Sequence, residues 1–481
     1  MVRRALVLLV VLAACEDFGR LRQLKPRRMV VKLTDVSFLP DGGQVSRLRP
    51  VDQAGRCEVA VDGLLGAGWQ VTYGTWVSDG VCELRDVQPG ETYVRVPGRD
   101  VYFQTALDEV DLGNDDVGRP FTSGRAGTAV TLDVTAGEPY EERTELALYV
   151  PDFGMGFTGS GATVQAMQGQ TSFAVTYDWE GMPLVQAGEA IDFFQGRTEW
   201  DGGTDIRFKL TRKGTTTAVT AVDTRAVRAS LTMAPITAQA PTPLPAVTAN
   251  PQGLIDLLTG VFPDAEFLGT WAQHEVKPQG FTQPLGIQHH FNIRPTGMLS
   301  LPAFTLDPLP TLSWRGTLSL SAYVEQKFDV PASGTATIGS TIQGPANELA
   351  WVTSTAISPA QAIAVRDADG RLQVSGDLAT RTPVVVWDPP TIGLPNGYHV
   401  TVERVDVTGS EAKLTRLPMR MLVQKTEAHI PPEVLEVGRS YLFEVLAENC
   451  TATDPKRPRR ANPQLPCAQT QSVSRVFTVV Q

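Results

Sequence analysis

The sequence predicts an all-β chain of several β-sandwich domains in tandem. Three observations predict it. The 481 residues exceed one compact domain, and at roughly 100–200 residues per domain about three are expected. Gly (43) and Pro (35) are both abundant, and they separate many short Val- and Thr-rich runs of alternating polarity. Only one stretch, PQGLIDLLTGVF (251–262), carries a helical pattern, with Leu254, Leu257, Leu258 and Val261 on one face and Gly260 near its end. Apolar content of 42% and charged content of 20% fit globular protein rather than disorder. The net charge of −10 argues against a nucleic-acid partner, which requires a basic footprint.

The first element is an export signal over 1–14. Arg3 and Arg4 precede an apolar run from Ala5 to Leu12, and small residues Ala13 and Ala14 follow. That run is too short for a membrane-spanning helix, which needs about 20 residues. Leu12-Ala13-Ala14-Cys15 closely resembles a bacterial lipoprotein lipobox. The resemblance implies cleavage before Cys15 by signal peptidase II and lipid attachment to Cys15. The partner would then be the membrane, reached through a lipid anchor, in the bacterial envelope and at the outer membrane. Ordinary cleavage after Ala14 is the alternative and leaves a soluble secreted protein. Lipoproteins with Asp directly after the cysteine are retained at the inner membrane. Here Glu16 takes that place, with Asp17 next.

With Cys15 lipidated, four of the five cysteines remain: Cys57, Cys82, Cys450 and Cys467. Four cysteines allow three connectivities. The local one, Cys57–Cys82 and Cys450–Cys467, keeps each bridge inside one domain, and an oxidising compartment permits it. Zinc is the rival, but neither pair has CxxC spacing and no His lies close by.

Residues 15–28 read as a polar tether bearing Arg20, Arg22, Lys25, Arg27 and Arg28. Residues 29–120 read as strands, with turns at Ser78-Asp79-Gly80 and Gln88-Pro89-Gly90. Trp69, Val71, Tyr73, Leu84 and Val87 are the expected core. The stretch DGVCELRDVQPGETYVRV (79–96) is similar to the carboxypeptidase regulatory-like, or prealbumin-like, β-sandwich. The resemblance implies an accessory module without catalysis of its own. Arg95 departs from the family's apolar repeat two places after the Tyr, and Val94 and Val96 lie on the face opposite Tyr93.

Residues 121–375 form a central β region of one domain or two, with strands such as TAVTLDV, ELALYVP, SFAVTYDW, TLSLSAYVEQKFDV and AIAVRDADGRLQV. Residues 376–481 resemble a fibronectin type III domain. Trp387 with Pro389 fits its second strand, and Tyr398, Val400 and Val402 fit the third. Leu435, Gly438, Tyr441, Phe443, Val445 and Ala447 fit the strand with the tyrosine corner. The long Pro- and Arg-rich loop after Asn449 departs from that family, and the chain has no RGD tripeptide.

No candidate chemistry rises above its bland alternative. His289 and His290 are adjacent and point to opposite faces of a strand, so with His274 they read as ordinary histidines rather than metal ligands. Asp111-Leu112-Gly113-Asn114-Asp115-Asp116 is oxygen-rich but lacks the EF-hand pattern, and reads as an acidic turn before a calcium site. Asp367-Ala368-Asp369-Gly370 reads as a hairpin turn. Gly159-Ser160-Gly161 lacks the spacing of a nucleophile elbow. Glu180, Asp192, Glu199 and Asp201 sit among Trp179, Phe193, Phe194 and Trp200, the composition of a sugar-binding surface or of core aromatics with surface acids. Lys456, Arg457, Arg459 and Arg460 form the strongest charge cluster, placed to meet an anionic surface or to solubilise a loop.

The expected function is therefore binding, adhesion or scaffolding in the cell envelope, without enzymatic activity or cofactor. The partner would be an envelope protein or polysaccharide. The alternative is a carbohydrate-active or other hydrolase with its site in the central region.

Overall fold

The structure, a computed structural model, describes residues 26–481 apart from segments between strands, the longer ones being 118–128, 346–355 and 452–463. It is an all-β, multi-domain fold of several sheets.

The N-terminal strands are β1 (Arg27–Lys32), β2 (Glu58–Gly63), β3 (Trp69–Tyr73), β4 (Thr75–Ser78), β5 (Val81–Val87), β6 (Gly90–Arg95), β7 (Val101–Gln104) and β8 (Glu109–Asp111). One sheet runs β8-β1-β5-β4, and a second edge of strands runs β7-β6-β2-β3. Alternation sends Met29, Val31, Val59, Val61, Leu84, Val94 and Phe103 into the core between them. Arg27 and Arg28, expected in the tether, open β1. Arg27 donates to the Ala106 carbonyl and to Thr92, and Arg28 pairs with Glu83.

The question of which face of β6 is buried has a two-sided answer. Val94 packs into the N-terminal core, and Tyr93 on the opposite face is equally buried in a second, larger one. Arg95, on the Tyr93 face, pairs with Glu58 and lies over the Tyr102 ring. Leu84 and Val87 are buried as expected, and Trp69 packs partly buried on the larger core. Val71 and Tyr73 are not core residues. They are 46% and 54% exposed because β3 is an edge strand with nothing beyond it among the described residues.

Residues 129–235 build two five-stranded sheets, with β9 (Ala129–Thr135), β10 (Thr144–Val150), β11 (Phe173–Tyr177), β12 (Ile191–Trp200), β13 (Ile206–Thr216) and β14 (Ala226–Thr232) as their main members. β9 joins β11 antiparallel and β14 parallel, while β12 lies between β10 and β13. Their alternation is plain: Val130, Leu132 and Val134 on β9 meet Leu146 and Leu148 on β10, with Val175, Phe193 and Leu231 in the same core.

The remainder contains α1 (Gln252–Val261), β15 (Glu266–Pro278), β16 (Gly286–Asn292), β17 (Trp314–Phe328), β18 (Gly334–Pro345), β19 (Gln361–Arg366), β20 (Leu372–Gln373), β21 (Val384–Asp388), β22 (Gly397–Thr408), β23 (Glu411–Val423), β24 (Glu427–His429), β25 (Ser440–Thr451) and β26 (Gln464–Val473). The small sheet is β20-β19-β21-β24. The large sheet is continuous along β16-β15-β17-β18-β26-β25-β22-β23-β7-β6-β2-β3. Two junctions create it. β18 pairs antiparallel with β26, and β23 pairs parallel with β7 through Arg420↔Val101 to Leu422↔Phe103. One apolar core lines its inner face, drawing on Leu258 of α1, Leu320, Ile342, Trp387, Val400 and Phe443 as well as Tyr93 and Tyr102 from the N-terminal strands. The hairpin strand β19 lies in the segment expected in the central region, yet it pairs with β21, so the sheet pair around Trp387 begins by residue 361.

Candidate functional site

Cys15 and the whole export signal lie outside the described residues, as do Lys456, Arg457, Arg459 and Arg460. The ends of that basic loop are described. β25 and β26 flank it, and the paired positions Cys450 and Cys467 are joined by a disulfide at its base. The second disulfide joins Cys57, just before β2, to Cys82 on β5, and so ties the two N-terminal sheets together. Both bridges are buried. Gly74 makes room for Cys57–Cys82: a Cβ there would sit 2.2 Å from the Cys82 Sγ, and its N–H donates to the Cys57 carbonyl.

His274 lies fully buried on β15, opposite Leu318 of β17. Burial lowers its imidazole pKa below the ordinary histidine range. His289 and His290 sit on β16 in register with Gln273 and Ala272, and their side chains are outside the described set. Among the described residues no three His, Cys, Asp or Glu side chains gather as a metal site would require. Asp111 closes a turn: its Oδ1 accepts from the Thr34 and Gly113 amides at 2.8 and 3.0 Å. Asp367 caps a hairpin. Its Oδ1 accepts from the amides of Asp369 and Arg371, its amide donates to the Arg371 carbonyl, and Gly370 supplies the left-handed φ of 79°.

Of the four acids near aromatics, Asp192 is the described one. It is buried, accepts from the Thr215 hydroxyl at 2.6 Å and pairs with Lys213 at 3.1 Å. Lys213 also lies 5.4 Å from the centre of the Phe194 ring. A carboxylate satisfied in this way holds a strand pair together. Glu180, Asp201 and the side chain of Glu199 lie outside the described residues, as does Gly159-Ser160-Gly161.

Two polar constellations escaped the sequence reading. On the outer face of the large sheet, Arg416 of β23 bridges Glu403 of β22 and Glu444 of β25. Burial raises the Glu444 carboxyl, and the Arg416 charge opposes that rise. The other constellation joins the chain's two ends. The Tyr93 hydroxyl accepts from the His429 amide at 3.0 Å, and the Tyr102 hydroxyl donates to Glu433 at 2.6 Å. Asp62 meets the His429 ring, and Glu91 meets Lys425. Each pair is separated by more than 300 residues. The only local signal was the alternation that put Tyr93 and Tyr102 on strands.

No protein-family model matches the chain, and no curated protein matches it. Solved structures do match. A tetra-tandem repeat from the extending region of a large adhesion protein is 12% identical, with 92% of this chain and 99% of that one covered, at a TM-score of 0.13. The four N-terminal Ig domains of Dscam1 isoform 4.44 are 9% identical, with 94% and 99% covered, at a TM-score of 0.12. TM-scores this low mark no common arrangement.

Proposed function

We propose that the chain is a lipid-anchored, non-catalytic binding or scaffolding protein of the bacterial cell envelope, held at the outer membrane through Cys15. The observation that carries this reading is the pair of buried disulfides in a chain whose fifth cysteine ends the Leu12-Ala13-Ala14-Cys15 segment. Disulfides belong to oxidising compartments, and the pairing leaves Cys15 alone for lipid. The modules fit the role. The sheets β20-β19-β21-β24 and β23-β22-β25-β26, with the Tyr441 hydroxyl accepting from the Glu436 amide, support a fibronectin type III-like module at the C-terminus. The disulfide-tied sandwich of β1 to β8 supports a prealbumin-like module beside the anchor. Of the acids that a hydrolase in the central region would draw on, Asp192 is engaged by Lys213 and Thr215.

Replacing Cys15 with Ser releases the protein from the membrane fraction and abolishes palmitate labelling. Retention of both properties removes the anchor. The basic loop, held at its base by Cys450–Cys467, is the contact for anionic envelope components in this reading. Changing Lys456, Arg457, Arg459 and Arg460 to Ser weakens pull-down of anionic envelope fractions. Unchanged capture at low salt sinks that part of the proposal.

A further inference from the structure

β6 and β7 divide their side chains between two cores. Val94 and Phe103 enter the core of the N-terminal strands. Tyr93 and Tyr102, which alternate with them, enter the core of the large sheet together with Ala60 of β2. A buried Tyr removes about 150–250 Å² from water, so without the C-terminal strands these rings would form an exposed apolar patch. Tyr93 is 0% and Tyr102 3% exposed, and Met421, Val423, Ala428 and Ile430 belong to the same core. In return, β7 covers the backbone edge of β23. That pairing is short, running from Arg420↔Val101 to Leu422↔Phe103, and it is parallel, the weaker mode per residue. Side chains therefore carry the junction. Its polar groups are matched across it as well. The Tyr93 hydroxyl accepts from the His429 amide, the Tyr102 hydroxyl donates to Glu433, and the Gln104 Oε1 accepts from the Gln424 amide at 3.3 Å. Glu91 pairs with Lys425, and Asp62 with the His429 ring.

We infer that β2, β6 and β7 form a docking surface whose partner is the C-terminal part of the same chain, β23 to Glu433, and that this surface holds the two parts together without the polypeptide that connects them. Each side lacks something the other supplies. The N-terminal strands gain cover for Tyr93 and Tyr102, and the C-terminal sheets gain an edge strand and two core rings. The consequence is that a break in the chain between residues 118 and 128 leaves residues 129–481 attached to the N-terminal strands. Neither disulfide spans that segment, since Cys57–Cys82 lies before it and Cys450–Cys467 after it, so the docking surface alone carries the attachment. The inference is independent of the anchor at Cys15. In an anchored chain it means that such a break does not shed the larger part.

A site for a specific protease, inserted after Gly124 in the full chain, tests it. The chain is immobilised through a C-terminal tag and cut, and a denaturing gel verifies the cut. The N-terminal piece is expected to stay bound under native buffer and to leave in urea. Tyr93→Phe combined with Tyr102→Phe keeps both rings and deletes both hydroxyl bonds, and the N-terminal piece then washes off about tenfold faster. Tyr102→Ala removes a ring from the junction and speeds the loss further. Val77→Ala, at an exposed site of the N-terminal strands outside the docking surface, leaves retention unchanged. Circular dichroism and melting temperature of each uncut variant confirm that it is folded. Loss of the parent's N-terminal piece in the first native wash overturns the inference, and so does a folded double Phe variant that retains the piece as long as the parent does.

Discussion

The phenol of Tyr441 does two jobs with one side chain. Its ring is buried in the large core, and its hydroxyl accepts from the Glu436 amide at 2.9 Å, five residues upstream. That bond satisfies a backbone donor where the chain turns through Gly438 (φ 80°) into β25. Replacing Tyr441 with Phe keeps the ring and orphans the amide, so a loss of about 0.5–1.5 kcal/mol is expected. A urea titration at unchanged m-value measures it. Tyr441 was legible because its neighbours Leu435, Gly438 and Phe443 form a local pattern. Tyr93 was not. Its partner, the His429 amide, is set by tertiary contact alone, and no spacing within 79–96 encodes it. Asp192 likewise reads as a possible functional acid in sequence, and only the placement of Lys213 and Thr215 makes it a structural one.

At the scale of elements, periodicity carried most of the information. The helical stretch folds as α1, with Leu254, Ile255 and Leu258 buried and Leu257 partly so. Its C-terminus closes where the Phe262 amide donates to the Leu258 carbonyl. Leu258 is fully buried among the core residues of the large sheet. Leu258→Ala is therefore expected to cost about 2–5 kcal/mol, from lost transfer energy plus the cavity. Thermal denaturation reads the loss, and a fall smaller than that of an exposed control on the same helix such as Asp256→Ala contradicts the packing. Strand β3 shows where periodicity stops. Trp69, Val71 and Tyr73 alternate as a core strand does, yet Val71 and Tyr73 are half exposed. Alternation assigns side chains to faces but does not reveal whether a neighbouring strand or layer covers them.

For the whole molecule, the fold class and the partition into strands follow from the sequence itself. Short alternating runs broken by Gly and Pro bury an apolar face in sheets, and the amphipathic stretch at 251–262 folds as α1. The local pairing of the four cysteines was also legible, because each pair is closer in sequence than any other choice. Tertiary structure alone decided the order of strands. Backbone hydrogen bonds are the same for every residue but Pro, so the sequence does not record that β7 borders β23 or that β26 borders β18. It also decided that β6 is buried on both faces, since two cores meet on that strand, and that β3 ends the large sheet among the described residues.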